Sequence, residues 1–213
     1  MRNRFLLAML AVAPLLASCT TAYYRALETV GVEKSDILVD RVEEARDSQT
    51  EAKEQFTSAL DRYRSVVRVE GGDLEEMYDR LAVELERSES RAQSVQERVA
   101  SVASVAEDLF DEWEDETAQY SDPNLRRQSQ RLLSDTRADY RRLIAAMQRA
   151  ENAMDPVLTL FRDQVLFLRH NLNARAIGSL ETELDDIERA TASLIAEMER
   201  SIAEASRFID ALA

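Results

Sequence analysis

The chain has 213 residues, with 41 acidic side chains against 27 basic ones and a formal net charge of −14, a balance that disfavours nonspecific binding to nucleic acid or to anionic lipid headgroups. Four glycines and three prolines are too few for a turn-rich β protein and point to a few long helices. A single cysteine rules out a disulfide framework.

The first eighteen residues have the three parts of an export signal: Arg2 and Arg4, an apolar run from Leu6 to Ala17, and the small residues Ala17 and Ser18. A twelve-residue helix rises only about 18 Å, well short of the roughly 30 Å hydrocarbon core of a bilayer. The run therefore reads as a processed signal, not a permanent span. Leu16-Ala17-Ser18-Cys19 resembles the lipobox of bacterial lipoproteins, in which the cysteine becomes the lipid-bearing first residue of the mature protein. An ordinary secretory signal with an incidental cysteine is the alternative. Two or more acyl chains give stable anchoring where one gives marginal binding. Thr20 follows the cysteine where an Asp would imply inner-membrane retention, so the resemblance implies the inner leaflet of the outer membrane, facing the periplasm. The expected division is a signal at 1–18, a lipid-anchored tether at 19–34 and one helical coiled-coil domain at 35–213. Loss of residues 1–18 removes two arginines and no acid, so the charge of the mature chain moves to −16.

Within the tether a helical turn is expected around Tyr23 to Val30, interrupted by Gly31. The first long helix is expected from Asp36 to Val69, with Leu38, Val42, Ala45, Gln49, Ala52, Phe56, Ala59, Tyr63 and Val66 in a heptad step. Gly71-Gly72 breaks it, and Asp73 with Glu76 forms a capping box for the second helix. There the pattern is clearest: Leu74, Tyr78, Leu81, Leu85, Ser88, Ala92, Val95, Val99, Val102, Ala106, Leu109 and Trp113 alternate steps of four and three. Carried to Tyr120, this helix is about 72 Å long.

Ser121-Asp122-Pro123 marks the next boundary, with Asp122 as N-cap and Pro123 at the first helical position. The third helix carries Leu133, Thr136, Tyr140, Leu143, Met147, Ala150, Met154, Val157, Phe161 and Leu168. Pro156 predicts a kink or short break inside it. A fourth stretch follows through Ile177, Leu180, Leu184, Ile187, Thr191, Leu194, Met198, Ser201, Ala205, Phe208 and Leu212. Asn171, Asn173 and Gly178 permit a turn between the two, and a continuous helix is the alternative. Helices two and three should form an antiparallel hairpin. The acids Asp108, Asp111, Glu112, Glu114, Asp115 and Glu116 are expected beside Arg126, Arg127 and Arg131. The predicted fold is all-α: an elongated antiparallel coiled-coil bundle of three to four long helices.

Three segments carry a further likeness. Asp36-Ile-Leu-Val-Asp-Arg-Val-Glu, Phe110-Asp-Glu-Trp-Glu-Asp-Glu and the run from Phe161 to Ile177 resemble, with the Ala-Ser-Cys signal, the bacterial lipoproteins catalogued as domain of unknown function 2959. The resemblance implies a helical envelope protein and assigns no activity and no functional residues.

Candidate sites are few. His170 is the only histidine, so neither a histidine-rich metal site nor a Ser-His-Asp triad fits in one chain. With Asn171, Asn173 and Arg175 it forms either a recognition patch at a bend or a set of helix-capping side chains, and capping is favoured. The acids around Trp113 fan out from one helix, whereas calcium needs six to eight converging oxygens. Trp113 itself falls in the seam. Residues 156–168, the most apolar stretch after the signal, read as core rather than as a docking segment. No phosphate-binding glycine loop, Gly-x-Ser-x-Gly or His-Glu-x-x-His motif occurs. No catalytic residue, metal or cofactor is therefore expected.

The leading expectation is a non-enzymatic structural or protein-interaction module of the cell envelope. Its partners would be the membrane through Cys19 and either another protein or a second copy, with no nucleic acid and no small-molecule substrate. A membrane-associating or membrane-shaping module using the basic run from Arg126 to Arg142 is the alternative. An envelope hydrolase is the third reading.

Overall fold

The computed structural model describes residues 34–68, 74–171 and 174–212. The helices are α1 (Lys34–Val67), α2 (Leu74–Gln119), α3 (Pro123–Asn152), α4 (Met154–His170) and α5 (Ala174–Leu212). No strand occurs among the described residues. The residues from Met1 to Glu33, including the whole signal and all of the expected tether but Lys34, lie outside them, as does the expected glycine break with its Asp73 cap; Lys34 opens α1.

Helix α3 and helix α4 act as one bent rod, so four rods pack side by side. α1 lies between α2 and α5, and the α3–α4 rod closes the ring on the other side of both. Ion pairs record the antiparallel register of each seam. Lys34 pairs with Glu112 at 2.8 Å, Glu44 with Arg98 at 2.7 Å and Glu51 with Arg91 at 2.5 Å along α1 and α2. Arg64–Glu188 at 2.7 Å and Lys53–Glu199 at 3.5 Å do the same for α1 and α5. Arg162 reaches Glu89 at 2.6 Å between α4 and α2. Such exposed pairs contribute only about 0.2–1 kcal/mol each, so they set register while the buried seam holds the bundle.

All nine expected seam positions of α1 are buried. In α2 Met77, Glu84, Val105, Phe110 and Thr117 join the buried stripe, while the expected seam positions Leu74, Tyr78, Leu109 and Trp113 are only half-buried. A helix with neighbours on two sides needs an apolar arc broader than a two-position seam, and α2 faces both α1 and the α3–α4 rod. The core of the third and fourth stripes follows the expected pattern from Leu133 to Phe208 among the described side chains, with Thr136, Tyr140 and Leu184 half-buried; the Ile177 side chain lies outside them.

The boundaries have local causes. Asp122 is the N-cap of α3 and its carboxylate accepts from the Asn124 N–H at 2.7 Å, with Pro123 opening the helix. Pro156 acts through the residue four before it, since its ring clashes with that carbonyl. That residue is Asn152, where α3 ends. Pro156 itself sits in the first turn of α4, where its missing N–H costs little. The outcome is a short break at Ala153. α4 and α5 are separate helices, with Asn171 the C-cap of α4, so the continuous alternative is excluded. Gly178 lies inside α5, not in the turn.

Candidate interaction surface

Among the described residues, the α2–α3 hairpin extends past its neighbours. Lys34, the first residue of α1, already pairs with Glu112, and α2 continues from there to Gln119 before the turn into Pro123. Among residues 114–132 only Thr117 and Ser129 are buried. They meet at the hairpin's centre, where the Thr117 and Ser129 hydroxyls lie 2.7 Å apart and Trp113 Nε1 donates to Ser129 Oγ at 3.0 Å. Trp113 is half-buried against the core, as a seam residue at the edge of the four-rod region. Below it, Phe110 and Tyr140 meet edge to face at 5.4 Å, and the Arg137 guanidinium lies 5.4 Å from the Phe110 ring centre. Burial, with Glu107 nearby, pushes the Tyr140 phenol above its ordinary range.

Both charge and apolar surface are left open here. Tyr120, Leu125 and Leu132 are 42, 49 and 52 % exposed. The expected pairing of acids with Arg126, Arg127 and Arg131 does not form. Arg126 donates instead to the Tyr120 carbonyl at 3.2 Å, an unpaired acceptor at the end of α2. Arg127 donates to Asn124 Oδ1 at 2.6 Å and Arg131 to the Arg127 carbonyl at 3.3 Å. None of the three has a carboxylate partner among the described residues. Among the described residues, the one cross-hairpin ion pair is Arg137–Glu114 at 2.8 Å. Acceptors within the turn and the first turns of α3 take up these guanidiniums instead.

The patch expected around His170 is only partly described. His170 ends α4 and is exposed, while Asn171 donates from Nδ2 to the Phe167 carbonyl at 3.0 Å and from its backbone N–H to Leu168 at 3.1 Å. Asn171 is thus a helix cap. Asn173 and the Arg175 side chain lie outside the described residues, and so do Leu16, Ala17, Ser18 and Cys19. Residues 156–168 contribute Val157, Leu158, Phe161, Val165 and Leu168 to the core, while Leu166 and Phe167 face outward.

Chemistry finds little purchase elsewhere. No group of three His, Cys, Asp or Glu side chains among the described residues is arranged to hold a metal ion. Glu84 is a buried carboxylate, but Gln55 Nε2 at 2.8 Å and Arg87 at 3.2 Å already occupy its oxygens. The groove between α1 and α5 is open, with Lys53 already paired to Glu199 across it. No helix among the described residues is long and apolar enough to cross a membrane.

The family model for a protein of unknown function, DUF2959, matches residues 23–212, and the chain belongs to that family. The likeness carried by its three segments is borne out to that extent. No curated protein matches the chain.

Proposed function

We propose that this DUF2959 protein is a lipid-anchored periplasmic rod that acts as a non-enzymatic structural or protein-interaction module of the cell envelope. The observation that carries the reading is the Leu16-Ala17-Ser18-Cys19 motif after a short apolar run, placed ahead of a long bundle with a buried seam. An acyl anchor would fix the rod at the membrane, and the acidic outer faces would keep it in solution. A bundle whose apolar side chains fill its interior has little concavity for substrate, which favours a binding role over a hydrolase. The test is fractionation of cells making the native chain or Cys19→Ala. The native protein should require detergent for release from membranes and resist release by salt. A native chain that stays in the soluble fraction would refute the anchor.

One observation favours a second reading, in which the hairpin tip itself meets the membrane. Arg126, Arg127 and Arg131 are exposed beside Leu125 and Leu132 with no carboxylate partner among the described residues. Salt-dependent liposome binding by the unlipidated chain, lost on reversing those three charges, would establish it.

A further inference from the structure

Charge is distributed unevenly around the bundle. α2 carries fourteen acidic side chains against four arginines, whereas α3 carries seven arginines against three acids. Arg137–Glu114 and Arg162–Glu89 keep one constant antiparallel register between α2 and the α3–α4 rod. In that register Asp111 is level with Tyr140, in agreement with the ring contact between Phe110 and Tyr140. At about 100° per residue, Asp108, Asp111 and Asp115 lie on the outer side of α2 that borders α3. Arg137 and Arg141 lie on the adjoining side of α3, where they line an open groove with Glu114, Ala118, Gln130 and Ser134. Asp108, Asp111, Asp115 and Arg141 have no oppositely charged partner among the described residues. Farther from the tip the same face is short and then apolar. Ala100 and Ser104 are exposed on α2 at the level of Gln148 on α3. Beyond them Val83 of α2 and Leu166 of α4 lie nearly level, 44 and 51 % exposed.

We infer that this face binds a second copy of the chain across a twofold axis parallel to the rods. Such an axis sets α2 of each copy against the α3–α4 rod of the other and preserves every level along them. Asp108 and Asp111 then flank Arg141 of the second copy at one end, and Val83 meets Leu166 of the second copy at the other. Between them Ala100 and Ser104 let the helices approach closely. A twofold running across the rods would instead set acidic α2 against acidic α2, so charge selects the parallel arrangement. From Val83 to Ala118 the face is about 50 Å long, and two helices make it about 20 Å wide. That offers on the order of 1,000 Å² per copy, against roughly 800 Å² per partner in a standard interface.

The pairing rests on the interaction-module reading and makes its partner specific, but it does not depend on the anchor. Lys34 pairs with Glu112, so a parallel dimer places the first turn of α1 of both copies at the same end. Two chains held by their lipid in one membrane would then pair without either having to invert.

The test uses the full chain carrying Cys19→Ala in density-matched detergent, with mass read by sedimentation equilibrium. Interfaces of this size bind at micromolar affinity or tighter, so a reversible dimer should form below about 100 μM. Arg141→Glu and Asp111→Arg, each alone, set like charges together at two symmetry-related places. Either should raise the dissociation constant at least about tenfold. Mixed in equal amounts, the two variants should pair to within about threefold of the parent chain, because each exchanged side chain then faces its opposite charge. A contact within one chain cannot produce that recovery. Leu166→Ala leaves the charges in place and should weaken pairing by at least about threefold, without changing the stability of the single chain at low concentration. A chain that stays monomeric, a dimer indifferent to both reversals, or a mixture no tighter than the single variants would overturn the inference. None of these results bears on whether Cys19 is acylated, which fractionation of the native protein reads separately, and none excludes a different protein as partner.

Discussion

The Tyr63 hydroxyl donates to the Leu180 carbonyl at 3.0 Å, tying the last turns of α1 to the first turns of α5 across a sequence separation of 117 residues. The ring is fully buried and meets Phe161 of α4 edge to face at 5.7 Å, so three rods converge on one side chain. Tyr63→Phe keeps the ring contact and removes only the hydrogen bond. We predict a loss of about 0.5–1.5 kcal/mol. That corresponds to a melting temperature lower by about 2–4 °C per kcal/mol. Burial first, and Glu183 second, push the phenol above its ordinary range. Its neutral form therefore stabilises the fold below the ordinary tyrosine pKa, and that contribution is lost as pH rises past it. Tyr63→Phe should flatten the alkaline side of the stability profile.

Leu143 and Leu166 separate core from surface on the same bent rod. Leu143 is fully buried and Leu166 is half-exposed. Urea unfolding should show Leu143→Ala costing about 2–5 kcal/mol through lost burial and a residual cavity. Leu166→Ala should change stability by no more than about 0.5 kcal/mol. Equal costs would mean that α4 buries the other face.

Gln49 occupies a seam position at zero exposure, and neither its Nε2 nor its Oε1 has a hydrogen-bond partner in the described protein. A buried polar group without a partner costs about 1–3 kcal/mol. Gln49→Leu, close in volume, should therefore raise the urea midpoint, by up to about 2 kcal/mol in stability. A single polar seam residue is also a known means of fixing register in coiled coils. Destabilisation by Leu would indicate that the amide is satisfied in solution.

Glu151 titrates above the ordinary carboxylate range because it is partly buried and then because Asp155 lies close. A raised folded-state pKa means that the protonated form favours folding. That stability is present below the ordinary glutamate pKa and is lost as pH rises through the folded value. Glu151→Gln should thus melt higher than the native chain at pH 7, with the gain vanishing as pH falls below the carboxylate range. A gain independent of pH would assign the effect to packing instead of charge.

Much of this fold was legible in the spacing of apolar residues. The nine seam positions of α1 and most of the described core from Leu133 to Phe208 follow from heptad steps alone, because a long helix must bury a continuous stripe. Asp122-Pro123 and Pro156 carried the boundaries through backbone chemistry that one residue dictates. Burial of Val105 and Phe110 was not legible, because it depends on how many neighbours α2 has. The pairing of Arg126, Arg127 and Arg131 was misread for a related reason. Sequence proximity to acids says nothing of competing backbone acceptors such as the Tyr120 carbonyl. The exposure of Leu125 and Leu132 was equally hidden, since it depends on which helices reach the end of the hairpin.

The most direct test of the account is the intact mass of native protein purified from membranes. The predicted result is a chain beginning at Cys19 and carrying added acyl mass that Cys19→Ala lacks. A native chain that retains residues 1–18, or one cleaved without added acyl mass, would contradict it.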